Sequence, residues 1–240
     1  MLFTWNEQTL GWFADASEYT GYSRALAKLL APHLEGCRTL CDMGCGMGLT
    51  DLELAGRFQS ITCVDSSPEV IADLRARAEA MGAANLSAVC ADGPTAEGSW
   101  DGVMALFHGD VRTVGEAYLA KARKTLVLVV HGSAYGTTGP AEYRVRKCCD
   151  VDSTRTWLEE RGWAYALEPG ALEFGQPHRS LEDAVAYTRA FTKNVPEEEL
   201  LAYVQAHVTS TGRDDFPLYT PKTRTFGIFT IRRNEHEHLS

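Results

Sequence analysis

Short apolar runs of strand type recur along the first two-thirds of the chain, each followed by residues at helical spacing. The runs are "RTLCDMG" (38–44), "SITCVD" (60–65), "NLSAVCAD" (85–92), "DGVMALF" (101–107) and "TLVLVV" (125–130). Between them, Leu52, Ala55 and Phe58, then Val70, Leu74, Ala78 and Met81, then Val111, Val114 and Tyr118 line single helix faces. Strands separated by helices, four times or more before residue 132, predict a mostly parallel sheet covered on both sides. The expected class is therefore α/β, with a doubly wound sheet.

The flanks read differently. Tyr22, Leu26, Leu29, Leu30 and His33 predict a helix before the first strand, within an N-terminal helical segment at 1–36. Past residue 132, "STRTWLEERG" (153–162) predicts a helix, "WAYALE" (163–168) a strand and "RTFGIFTIRR" (224–233) a closing strand. The intervening 169–223 is too long for a simple connection, and excursions of that length are usually functional. Helical character at 181–191 and 196–208, where Leu200, Val204 and His207 share a face, makes it a helical cap inserted before the last strand. The chain is thus expected to be a single domain over 1–240, with a binding core at 37–168 and the closing strand at 224–233.

Charge and cysteine usage narrow the partners. The formal net charge is −9, which repels phosphate backbones and argues against nucleic acid. "RVRK" (144–147) is the longest basic run. No stretch approaches the roughly 18 apolar residues of a membrane span, and the N-terminus lacks the basic region of a signal peptide. Seven cysteines, several inside strand-like runs, do not suggest a disulfide framework. A cytoplasmic monomer or homodimer is the expectation.

The first strand ends in "CDMGCGMGLT" (41–50), with Gly44, Gly46 and Gly48 spaced G-x-G-x-G. Glycines between a strand and a helix let the backbone approach a ligand, and the helix start behind them offers unpaired N–H groups. Dinucleotide enzymes use G-x-G-x-x-G, but the third glycine of that pattern is replaced here by Leu49. Asp42, two residues before the first glycine, suits an ammonium group better than a pyrophosphate.

This stretch resembles motif I of the class I S-adenosylmethionine-dependent methyltransferases, acidic-x-G-x-G-x-G. Asp65 ends the second strand, where the family places an acid on the ribose hydroxyls. Asp92 follows the third, where the family places an acid near the adenine amino group. "WDGVMALF" (100–107) is similar to the fourth-strand motif beside the methyl donor. The resemblance covers roughly residues 37–131 and implies a Rossmann-like methyltransferase fold with S-adenosylmethionine as cofactor. The contact set it implies is Asp42, Gly44, Cys45, Gly46, Gly48, Asp65, Ser66, Asp92, Gly93 and Phe107. Separately, the aromatic N-terminal segment offers Tyr22, either to fold over the cofactor or to dock its helix onto the sheet. "FHGD" (107–110) stands where amino-methylating nucleic-acid enzymes of the family carry Asn-Pro-Pro-Tyr, and no spaced acidic metal ligands follow. The pattern most resembles that of the family's small-molecule group, which implies a small-molecule acceptor.

His108 and His131 lie just past the fourth and fifth strands, at the sheet edge where ligands bind in such folds, and either could be a general base. His178 in the cap is a further candidate. His236 and His238 belong to the tail. Adjacent Cys148 and Cys149 are an incomplete metal site, and no metal is expected. Two rival readings remain: a nicotinamide-dependent oxidoreductase, and a non-catalytic module that binds S-adenosylmethionine.

Overall fold

The computed structural model describes residues 5–133, 138–145 and 149–233. Two helices open the chain, α1 (Glu7–Thr20) and α2 (Tyr22–Leu30). Asn6 caps α1 by accepting from the Thr9 N–H, while the Thr9 hydroxyl accepts from the Asn6 N–H. Alternation follows: β1 (Thr39–Met43), α3 (Leu49–Leu54), β2 (Ser60–Asp65), α4 (Pro68–Ala80), β3 (Leu86–Cys90), β4 (Trp100–Leu106), α5 (Val111–Lys121) and β5 (Ala122–His131). The remainder comprises α6 (Val151–Glu160), β6 (Ala166–Glu173), β7 (Gln176–His178), α7 (Leu181–Ala190), α8 (Glu197–His207), β8 (Thr209–Ser210), β9 (Leu218–Thr220) and β10 (Thr223–Arg232).

The chain divides into two compact units. The larger holds the described residues of 23–132, 148–170 and 225–240; the smaller holds those of 1–22, 133–147 and 171–224. A seven-stranded sheet runs in the order β3-β2-β1-β4-β5-β10-β6. Neighbours from β3 to β5 are parallel, and β10 pairs antiparallel with β5. The apolar runs are buried because both sheet faces are covered: Met43, Val103, Leu126, Leu128, Phe229 and Ile231 share one core cluster. The doubly wound α/β sheet read from the sequence is the observed one.

In the smaller unit, α1, α7 and α8 accompany a three-stranded sheet, β7-β9-β8. Trp12 is buried there, donating from Nε1 to Asp183 Oδ1 at 2.7 Å and meeting Tyr187 edge-on at 5.5 Å. The two expected helices of the excursion are present; the sheet was not foreseen. Its strands are two or three residues long, and β7 contains Pro177, so no alternation marks them.

Two local expectations shift. Strand β6 starts at Ala166, not Trp163, because the Trp163 N–H is taken by Leu158 O as α6 closes and its ring packs edge-on against Trp157. On α8, Leu200 and Val204 are buried, but His207 is exposed and stacks on Tyr203 at 3.9 Å.

Candidate functional site

Strand order reverses at β1: β2 and β3 extend to one side, β4 and β5 to the other. In open α/β sheets the crevice outside the carboxyl ends of the strands at such a reversal is where ligands bind. The ends of β1, β2, β3, β4 and β5 carry Gly44, Asp65, Asp92, Phe107 with His108, and His131.

The loop after β1 is built from left-handed glycines. Gly44, Gly46 and Gly48 have φ of 75°, 53° and 59°, values that a side chain would strain. The loop is anchored by Gly44 and Cys45 N–H groups donating to Val64 O at 2.7 and 3.0 Å, and by Gly48 N–H to Cys45 O at 3.0 Å. Asp65 ties loop to strand: its Oδ2 accepts from Gly46 N–H at 3.0 Å and its Oδ1 from Ser67 N–H at 2.9 Å. Neither Ser66 nor Ser67 caps α4 by side chain. Ser67 Oγ donates instead to Glu69 Oε2 at 2.7 Å, and Ser66 is exposed.

Gly44 is also pressed by a side chain. A Cβ built there would fall 1.9 Å from His108 Cγ. The His108 ring therefore lies directly over the first glycine, its outer part open to solvent. Desolvation by these walls lowers its pKa below the ordinary imidazole value, opposed by the charges of Asp65 and Asp92. Phe107, just before it, holds a left-handed φ of 56°, uncommon for a residue with a side chain and often seen at functional sites. Its N–H donates to Val129 O at 2.7 Å, and its ring lies 4.9 Å from that of His131. Asp92 is exposed, and its backbone carbonyl accepts from Thr95 and Ala96 as Gly93 packs beneath the Tyr118 hydroxyl.

Asp42 lies beneath the loop, not on its surface: it is 1% exposed, as is Asp51 in the first turn of α3. Counted as carboxylates, none of their four oxygens has a hydrogen-bond donor among the described residues. Burial, then the charge of Asp51, push the Asp42 carboxyl well above the usual range; burial pushes Asp51 up to about 7. One proton held between them removes the conflict, as in other close carboxyl pairs. Asp51 was not a sequence candidate. An acid in a first helical turn reads as a favourable partner of the helix dipole, and only burial distinguishes it.

The structure thus brings Gly44, Cys45, Gly46, Gly48, Asp65, Ser66, Asp92, Gly93, Phe107, His108 and His131 to strand ends of the larger unit, with Asp42 below them. Tyr22 belongs to the smaller unit. It is buried, its ring 4.3 Å from that of Phe174 and beneath Arg224, and burial raises its hydroxyl pKa. His178 is fully buried, its Nε2 paired with Thr220 Oγ1 at 2.9 Å. Cys149 is buried and donates to Gly109 O; Cys148, His236 and His238 lie outside the described residues, as do the last two residues of the 144–147 basic run. No group of three or more potential metal ligands occurs among the described residues. No helix among them is long and apolar enough to cross a membrane.

Residues 40–127 match the model of a methyltransferase domain family. No curated protein matches the sequence. Solved structures share the fold. The YcgJ protein from Bacillus subtilis is 16% identical, with a TM-score of 0.56 over 89% of this chain and 100% of that one. A precorrin 8W decarboxylase from Methanobacterium thermoautotrophicum is 13% identical, with a TM-score of 0.52 over 86% and 89%. A putative RNA methyltransferase from Pyrococcus horikoshii is 13% identical, with a TM-score of 0.51 over 91% and 83%. Family match, strand order and left-handed glycine loop fall on one stretch of sequence, and they identify residues 40–127 as a methyltransferase domain.

Proposed function

We propose that this chain is an S-adenosylmethionine-dependent methyltransferase that acts on a small-molecule acceptor in the cytoplasm. The supporting observation is the charge balance: a chain of net charge −9 with an acidic crevice, bearing Asp65 and Asp92, disfavours a polyphosphate backbone. The likeness to a putative RNA methyltransferase is one of fold alone.

The crevice suits the cofactor. Left-handed glycines remove side chains from its floor, and carboxylates stand at the ends of β2 and β3, where hydroxyl and amino groups need acceptors. S-adenosylmethionine, when bound, supplies an electrophilic methyl group on a sulfonium centre. Gly44, Cys45, Gly46 and Gly48 would cradle it, Asp65 and Ser66 hold the ribose, and Asp92, Gly93 and Phe107 face the adenine side. Asp42 is left out of the contact set, because its side chain is buried and makes no hydrogen bond to the loop among the described residues. Tyr22 is omitted, because Phe174 and Arg224 already cover its ring. His108, kept neutral by partial desolvation, takes the acceptor's proton at an imidazole nitrogen, and His131 holds Phe107 in place. Alignment and exclusion of water supply the rest of the catalysis.

The test has two stages. Thermal unfolding with S-adenosylmethionine, its demethylated product and NADH should show stabilisation by the first two only. At 100 times the dissociation constant that amounts to about 2.7 kcal/mol, and it should vanish in Asp65→Ala. Transfer of a radiolabelled methyl group is then measured into a small-metabolite fraction and into purified RNA. Label in RNA alone would overturn the small-molecule reading.

A further inference from the structure

The smaller unit holds a partly open cavity of about 230 Å³ lined by its own residues. Its lining has a distinct composition. Arg144 and Lys222 contribute two positive charges, and no Asp or Glu among the described residues lines it, although the chain as a whole is strongly acidic. The lining also holds an aromatic pair: Tyr203 and His207, one turn apart on α8, stack on each other with ring planes only 19° apart, beside Val204.

The cations are held in place. Arg144 is pinned through its backbone, which bridges to Thr192, and its Nε donates to Gly139 O at 3.0 Å. Lys222 Nζ donates to Thr138 Oγ1 at 3.0 Å. The His207 ring is fixed by its Nδ1, 2.7 Å from Tyr203 O. A guanidinium, an ammonium and a stacked aromatic pair in one lining match a ligand with an anionic group on a flat body.

We propose that this cavity binds a small organic carboxylate with a planar apolar body. Arg144 and Lys222 take the carboxylate, and the Tyr203–His207 stack takes the body. Phosphate lacks the body and a neutral amide lacks the charge, so neither satisfies both the cations and the aromatic pair. The inference stands on the smaller unit alone and is independent of the identity of the methyl acceptor.

The test uses the full-length protein without methyl donor and reads binding by calorimetry and by saturation transfer from protein to ligand. Benzoate, benzamide and inorganic phosphate are the probes. Benzoate should bind at millimolar concentrations, with benzamide and phosphate each weaker by about tenfold or more. Arg144→Gln and Lys222→Gln should each weaken benzoate by about tenfold, and Lys222→Arg should retain it. Unchanged melting temperature and unchanged stabilisation by S-adenosylmethionine establish that the variants fold. Absence of benzoate binding, equal binding of benzamide, preference for phosphate, or full benzoate binding in the Arg144→Gln/Lys222→Gln double variant would each overturn the proposal. Because the readout is binding without turnover, its failure leaves the methyltransferase reading untouched.

Discussion

The His108 imidazole occupies the volume that a Cβ on Gly44 would need, with Cγ only 1.9 Å from that position. The first glycine of the loop is therefore required twice, by its φ of 75° and by the ring over it. Gly44→Ala should destabilise the protein by about 1–2 kcal/mol from the left-handed backbone alone. It should also displace His108. Denaturant unfolding and calorimetric titration with S-adenosylmethionine would check this, with affinity expected to fall by about tenfold or more. Gly48→Ala meets the flexible end of Leu74 instead, at 2.6 Å, so its affinity loss should be smaller.

His108→Asn separates catalysis from binding. If the imidazole takes the acceptor's proton, turnover should fall by about 10²–10⁴-fold, with affinity for S-adenosylmethionine changed by no more than a few-fold. Its lowered pKa keeps the ring neutral at neutral pH. The wild-type rate should therefore decline only as pH falls below the ordinary histidine range, and the variant should lose that limb. A pH–rate profile that is unchanged in His108→Asn would assign the ring to loop support only.

Asp51 and Asp42 make an opposite, structural contribution. In the folded protein Asp51 holds its proton up to about pH 7, whereas an unfolded aspartate releases it near 4. The folded state then binds more protons between those values, so stability falls as pH rises through that window. Asp51→Asn supplies an amide donor to Asp42 and removes the penalty. It should raise stability at pH 8 by about 1 kcal/mol or more, with little gain at pH 4. Urea unfolding across this pH range decides it; equal gains at both ends would contradict a shared proton.

His178 slopes the other way. Burial lowers its pKa to about 4, with Asp183 opposing, and its Nδ1 has no hydrogen-bond partner among the described residues. The unfolded chain protonates this histidine near 6.5 while the folded chain does not. Its contribution is thus complete above pH 6.5 and lost as pH falls toward 4, by about 3 kcal/mol in all. His178→Gln should flatten this acid limb, as followed by thermal unfolding between pH 4 and 7.

The larger unit was legible because its strands are long, apolar and separated by striped helices. Burial on both sheet faces writes itself directly into runs such as "TLVLVV". The glycine loop was legible for a related reason: left-handed backbone at three positions demands glycine. The small sheet was not, since three-residue strands such as Gln176–His178 owe their pairing to neighbours far along the chain. Asp51, Arg144 and Lys222 were equally silent. Each is an ordinary surface-type residue whose setting is made only by tertiary packing.

Strand β10 pairs with β5 from Phe226 opposite His131 to Arg232 opposite Thr125. The strand that shields β5 on that side is thus separated from it by all of residues 132–222. During synthesis the edge of β5 must stand unpaired until that whole stretch, including most of the smaller unit, has left the ribosome. An uncovered apolar edge strand is an aggregation hazard. The order of translation thus makes this protein dependent on its late-made residues for safe passage through the cell, well before any question of methyl transfer arises.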